Sequence, residues 1–301
     1  MTVPHPIPYQ GSKRKLAPVI LRYFPDDVEW LYEPFAGSAA VSLAAAQKGK
    51  AERFWISDCL EPLMGIWQMI LECPEDLAAQ YSALWHAQSE DPGAFYLRVR
   101  DEFNQTADPA RLLYLVARCV KNAIRFNPDG EFNQSPDHRR KGRRPTTMRN
   151  AILGASRLLA GRCKAQSADY REALRRPRTQ DLVYMDPPYQ GVNGRDPRYH
   201  RQVAFDELME ALENLNGRGI RYLLSYDGSC GGKSYGEEPP EQLQLTRVSV
   251  HVGKSAQATL VGRSADTVES LYVSPRLADE LGARSRKVSV RNLQGQSALF
   301  Q

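Results

Sequence analysis

Between Glu29 and Asp58 the chain runs a short apolar strand, Glu29 to Glu33, into a turn at Gly37, an alanine-rich helix from Ala39 to Gln47, and a second strand from Arg53 to Ser57. Strand, turn, helix and strand in immediate succession close as a parallel βαβ unit, because the helix carries the chain back to the starting edge of the sheet. The second strand ends at Asp58, about twenty residues beyond Gly37, where nucleotide-binding α/β units place a carboxylate on ribose hydroxyls. In isolation Asp58 also reads as the N-cap of a helix over Pro62 to Leu71. A lone Gly37 is no G-x-G-x-x-G fingerprint, which argues against a dinucleotide ligand.

Strand-like runs resume at Leu182 to Met185, Arg221 to Ser225, Leu243 to Val252 and Ser270 to Val273, with a helix at Phe205 to Asn216. The intervening stretch is largely helical, including Pro74 to His86, Ala94 to Phe103 and Arg111 to Val120, and is broken by a polar, basic segment from Asn127 to Pro145. The expected architecture is therefore a Rossmann-like α/β sheet split by a helical insertion. Residues 1–59 form the first part, 60–159 the insertion, 160–275 the second part and 276–301 a polar, peripheral tail. A chain of 301 residues can bury such a core.

Hydrophobic content of 42% beside 25% charged residues is ordinary for a globular protein. No stretch approaches the roughly 18 apolar residues of a membrane span. Met1 to Gln10 has neither a basic start nor an apolar core of signal-peptide type, so the expectation is a cytoplasmic protein. Cys59, Cys73, Cys119, Cys163 and Cys230 form no C-x-x-C pair, which predicts reduced thiols and no metal site.

The sharpest chemical signal is Asp186-Pro187-Pro188-Tyr189, placed directly after the apolar strand Leu182 to Met185. An open α/β sheet puts its ligand crevice at that strand end. An amine conjugated into an aromatic ring is weakly nucleophilic, so chemistry on it needs acceptors aimed at its two hydrogens as charge develops on nitrogen. Asp186 offers a carboxylate. The Pro187 carbonyl can be held in place because two successive prolines restrict the backbone, and Tyr189 offers a face for a base. The bland alternative is a simple turn after a strand. Tyr32-Glu33-Pro34-Phe35-Ala36-Gly37-Ser38 is a second signal, a strand end and small-residue turn that permit close approach of a cofactor without requiring a phosphate.

With Pro8-Tyr9-Gln10-Gly11-Ser12-Lys13, these motifs resemble the Dam-type, or alpha-group, adenine-N6 DNA methyltransferases, in the expected order from about Pro4 to Pro275. The resemblance implies that Tyr9 and Lys13 join Glu33, Pro34, Phe35, Gly37, Ser38, Asp58 and Asp186 around S-adenosylmethionine. It makes Asp186, Pro187, Pro188 and Tyr189 the catalytic motif, with a flipped-out base, S-adenosylhomocysteine as product and no metal. The family's usual aromatic residue at the Tyr9 position is Trp. Phe95 to Asn104, Lys121 to Asn127 and Gly130 to Asn133 look like the family's recognition signatures, which implies DNA contacts at Lys121, Asn122, Arg125 and Asn133. After Asn133 the chain departs from the family pattern with Gln134-Ser135-Pro136-Asp137, which leaves the recognised DNA sequence open.

Arg139, Arg140, Lys141, Arg143, Arg144 and Arg149 form a basic cluster with only Asp137 nearby to offset it. The chain's net charge of +5 gains meaning from that concentration. Phosphate contact is the first expectation for such a loop, base reading by arginine the second, and a solvated surface loop the alternative. Lys254 and Arg263 stand in a strand pair resembling a hairpin that meets DNA in the family, and Ser225 and Tyr226 are candidates to line the base pocket. The expected partner is double-stranded DNA, met by a monomer or by two copies on a symmetric site. A cognate restriction endonuclease acting independently, or an orphan or phage role, is compatible with the resemblance.

Two other chemistries are weaker. Methylation at cytosine carbon would call for a nucleophilic cysteine, and the Asp186 motif contains none. Enzymes acting on RNA bases or protein amides usually carry Asn at the Asp186 position. A DNA-binding protein without turnover fits poorly with Lys13, Gly37, Asp58 and Asp186 all present.

Overall fold

The computed structural model describes residues 2–88, 90–188, 203–230, 233–235, 237–254 and 266–289. Among them eight strands form one mixed sheet: β1 (Trp30–Pro34), β2 (Arg53–Asp58), β3 (Cys163–Ser167), β4 (Leu182–Met185), β5 (Arg221–Cys230), β6 (Lys233–Tyr235), β7 (Thr246–Lys254) and β8 (Asp266–Val273). The order is β3-β2-β1-β4-β5-β8-β7, with β6 paired to β5. Pairings from β3 through β5 are parallel, and β8 and β7 complete the sheet in antiparallel fashion. Alternation along each strand divides the core. Leu31, Leu182, Tyr184, Leu223, Leu271 and Val273 face one side, and Tyr32, Val183, Met185, Tyr222, Leu224 and Tyr272 the other.

The first face carries α1 (Ala17–Ile20), α2 (Ala40–Lys48), α3 (Glu61–Glu72), α4 (Pro74–Ala87), α5 (Pro92–Thr106), α6 (Pro109–Arg118) and α7 (Pro145–Leu159). Their buried residues, from Leu16 through Leu112 to Leu159, form one cluster with that face, so the core of the helical stretch is continuous with the sheet. The second face carries α8 (Tyr170–Leu174) and α9 (Phe205–Gly217). No helix among the described residues is long and apolar enough to cross a membrane.

Several elements depart from the sequence reading, among them α1, β3, α8, β6 and a helix over the expected tail. β3 was not expected, because Cys-Lys-Ala-Gln-Ser has no apolar alternation; as an edge strand half open to water it needs none. The expected tail from Arg276 begins instead within α10 (Pro275–Ser289). Leu277 is fully buried, and Arg276, paired with Glu280 one turn on, anchors the helix to the Gly219 carbonyl.

The strand order sets the position of the site. From β1 the chain moves outward to β2 and β3, whereas β4 leads the opposite way to β5, yet β1 and β4 are neighbours in register, Leu31 opposite Leu182. That reversal opens a crevice at their C-terminal ends.

Candidate active site

A cavity of about 330 Å³ fills this crevice. Asp186 enters it directly after β4, Glu33 and Phe35 from the end of β1, and Tyr9 to Lys13 from the N-terminal segment. Lys13 is buried, and its Nζ lies 2.8 Å from Asp186 Oδ1 and 3.5 Å from Glu269 Oε2 on β8. Burial pushes the Asp186 carboxyl up to about 6, while the Lys13 ammonium pulls it down and the Glu269 charge pushes it further up. Fully buried Glu33, whose Oε2 accepts the Ser42 N–H at 2.8 Å, is driven by burial to about 7.

The turn after β1 is built by backbone geometry and by three distant side chains. Phe35, Gly37 and Ala39 have φ of 62°, 49° and 45°. Gly37 meets this conformation without a side-chain clash, and a Cβ there would stand 3.1 Å from the Tyr9 ring. Asp58 accepts the Gly37 N–H on Oδ2 and the Leu60 N–H on Oδ1, each at 3.1 Å. It therefore ties the turns after β1 and β2 together and does not cap α3, whose N-cap position is Leu60. Burial raises the Asp58 carboxyl, and the donated N–H groups oppose that rise. Trp67 Nε1 donates to the Gly37 carbonyl at 3.0 Å, and Ser12 and Ser38 hydroxyls bond at 2.8 Å, fastening the N-terminal segment to the turn.

One cavity thus brings together Tyr9, Lys13, Glu33, Phe35, Gly37, Ser38, Asp58, Asp186, Pro187 and Pro188. Pro34 is not in its wall. Alternation along β1 separates Glu33 from Pro34, whereas Phe35 enters from the turn beyond the strand, at a φ of 62°. Ser225 and Tyr226 are also excluded: both are buried, and the Ser225 hydroxyl bonds Tyr184 at 2.9 Å within the sheet. Tyr189 and Arg263 lie outside the described residues, as does the side chain of Lys254.

Several lining residues were not anticipated. Asp169 and Tyr170 follow β3, with the Tyr170 ring 5.0 Å from that of Phe35. Glu207 arrives from α9, Ile124 from the helical stretch and Gln10 from the N-terminal segment. The signal for Tyr170 was its place after an acidic helix cap, which is legible only once β3 is known.

The segments that resemble recognition signatures reach the same cavity through Ile124. The Gln10 N–H donates to the Asn122 carbonyl at 3.0 Å, and Lys121 and Asn122 adopt φ of 61° and 52°, a costly conformation for such residues. The Asn122 amide donates to the Val116 carbonyl and that of Gln134 to the Val120 carbonyl, which fixes the bend. Lys121 and Asn133 are exposed and Arg125 is half-buried.

The basic loop beyond is pinned from beneath. Arg118, 3% exposed, donates to the Asp137 carbonyl at 2.7 Å, to the Arg140 carbonyl, and to Gln88 Oε1 at 2.7 Å. Gln88 donates to the Lys141 carbonyl at 3.1 Å, and the Tyr81 hydroxyl to the Arg143 carbonyl at 2.7 Å. With its carbonyls turned inward, the loop leaves Arg139, Arg140, Lys141 and Arg144 exposed. Arg143 does not join them: its guanidinium donates to the His5 carbonyl at 2.5 Å, and burial lowers its pKa. Arg149 leaves the cluster too, because it pairs through two hydrogen bonds with Glu75 and so staples α7 to α4.

The model of the D12 class N6 adenine-specific DNA methyltransferases matches residues 9–259. The chain is 27% identical over 223 residues to the type II methyltransferase M.MjaIII of Methanocaldococcus jannaschii, covering 67% of this chain and 76% of that one. It is 27% identical over 232 residues to the DNA adenine methylase of Salmonella typhimurium, covering 72% and 78%. The DNA N-6-adenine-methyltransferase of Escherichia phage P1 is 26% identical over 235 residues, 73% of this chain but 29% of the phage protein.

Proposed function

We propose, from the premise that this chain belongs to the D12 class N6 adenine-specific DNA methyltransferase family, that it methylates the exocyclic amine of adenine at a specific site in double-stranded DNA, with S-adenosylmethionine as donor. The observation that carries this reading is Asp186, held by Lys13 in the wall of a cavity that Gly37 and Asp58 also line. The wall chemistry fits the donor: Gly37 keeps the turn open beneath Tyr9, and Asp58 faces the cavity from the end of β2. Tyr9, Lys13, Glu33, Phe35, Gly37, Ser38 and Asp58 would hold it. When bound, S-adenosylmethionine supplies an electrophilic methyl group.

Asp186 and the Pro187 carbonyl accept from the amine's two hydrogens and orient its lone pair toward that methyl. Lys13 keeps Asp186 ionised against the burial that would protonate it. A buried crevice cannot admit an intact duplex, so the target base leaves the stack at a cost of a few kcal/mol, offset by contacts along the DNA. Residues 1–59 and 160–275 act as the catalytic part and 60–159 as the recognition part. Arg139, Arg140, Lys141 and Arg144 meet phosphates, and Lys121, Asn122, Arg125 and Asn133 stand nearest the base. Similarity to a type II methyltransferase is compatible with a cognate endonuclease.

The test is incubation with unmethylated mixed-sequence duplex and labelled S-adenosylmethionine, followed by nucleoside mass spectrometry and methylation-aware sequencing. N6-methyladenine at one recurring motif is expected. Label found only in RNA or protein controls would refute the DNA substrate.

A further inference from the structure

Glu269 has no part in the sequence motifs, yet its carboxylate reaches the same ammonium as Asp186. Its direction follows from register. Leu271 and Val273 of β8 face the side of the sheet that carries Leu16 and Ala17, and alternation puts Glu269 on that face, over the Lys13 turn. Both neighbouring strands are irregular around it. The β5–β8 pairing shifts register between Ser225 and Gly228, the latter opposite Glu269, and the β7–β8 pairing shifts between His251 and Gly253, just past Val250 opposite Glu269. Bulges of this kind re-aim side chains beside active sites.

An ammonium on a four-carbon stem has three rotatable donors. Anchored to Asp186 alone, it can swing across both carboxylate oxygens and occupy the acceptors that the target amine needs. A second carboxylate on the far side prevents this. Resting on the functional reading above, we propose that Glu269 is a positioning residue for methyl transfer, holding the Lys13 ammonium on Oδ1 of Asp186 so that Oδ2 stays open to the amine. No proton changes owner in this role.

The same carboxylate bears on pH. The charged and titratable groups facing Asp186 are Lys13 from the N-terminal turn, Glu33 from β1, Tyr184 from β4 and Glu269 from β8. Glu269 pushes the Asp186 carboxyl upward, so removing its charge moves the acid limb of the rate profile to lower pH.

Glu269→Gln, Glu269→Asp and wild type are compared in steady-state methylation across that limb, with thermal melts as a check on folding. For Glu269→Gln we expect kcat to fall on the order of tenfold on the plateau. KM for DNA and for S-adenosylmethionine should change little, and the acid limb should shift downward. Glu269→Asp, keeping the charge on a shorter arm, should recover part of kcat and the original limb, and it tests the charge even if the Gln variant does not fold. Wild-type kcat and limb in Glu269→Gln would overturn the inference, as would a loss confined to KM for S-adenosylmethionine. A wild-type protein that methylates no adenine overturns the functional reading, and this inference falls with it.

Discussion

The rim of the cavity and the basic loop are both dense in charge, yet they treat it oppositely. At the rim, Glu33 is buried and Asp58 and Asp186 are half-buried at strand ends, and desolvation raises all three carboxyls. In the loop the buried groups are donors that hold the backbone, Tyr81, Gln88 and Arg118, while Arg139, Arg140, Lys141 and Arg144 stand in water. Buried carboxylates respond to protons and are largely insulated from salt; exposed cations do the reverse. On the proposed function, a pH-sensitive chemical centre is thereby separated from a salt-sensitive docking surface.

The largest expected effect lies at the rim. Asp186→Ala should lower kcat by about three orders of magnitude, because an acceptor aimed at developing charge is removed. DNA affinity should stay near wild type in a fluorescence anisotropy titration. A parallel collapse of affinity would mean that rim and loop are one binding unit, breaking the comparison. Next comes the loop: replacing Arg139, Arg140, Lys141 and Arg144 with Gln should reduce the slope of log affinity against log salt by about 0.9 for each phosphate that is no longer neutralised. Arg140 is the weakest contributor, since Asp137 already holds it at 2.6 Å. A slope equal to that of wild type would place the DNA on another surface.

The third effect is on stability. A glutamate held near 7 when folded and near 4.5 when unfolded binds an extra proton in the folded state between those values. Its contribution to stability is complete below about 4.5 and is lost as pH rises through about 7. Glu33→Gln escapes that loss, so it should be more stable than wild type by about 2–3 kcal/mol above neutrality, with the advantage shrinking as pH falls. Melts at several pH values check this. A difference independent of pH would remove Glu33 from the titrating rim.

What could be read from sequence follows the same divide. β1, the Gly37 turn, β2 and the strand before Asp186 were legible because an apolar run followed by glycine or proline reports its own geometry, and the boundaries agree within a residue or two. β3 was illegible because an edge strand of Cys, Lys, Ala, Gln and Ser makes no periodic demand, and with it went Asp169 and Tyr170. Glu269 could not be linked to Lys13, since only the order of strands brings them together. In the loop, composition announced cations but not their direction. Nothing local distinguishes Arg143, turned to the His5 carbonyl, from Arg144, which is exposed.

Direction is therefore the property to perturb last and most gently. Tyr81→Phe removes one hydroxyl, the donor to the Arg143 carbonyl, and leaves every cation in place. If the loop binds DNA because its backbone is held in advance, losing one of several anchors lets it fray, and binding must then meet the cost of ordering it. One hydrogen bond of this kind is worth about 1 kcal/mol, so affinity should drop roughly fivefold. The salt slope should not move, because the number of phosphates neutralised is unchanged. That combination separates presentation from charge. A fall in slope would mean that the anchor sets how many cations reach the DNA; unchanged affinity would mean that Arg118 and Gln88 hold the loop without Tyr81.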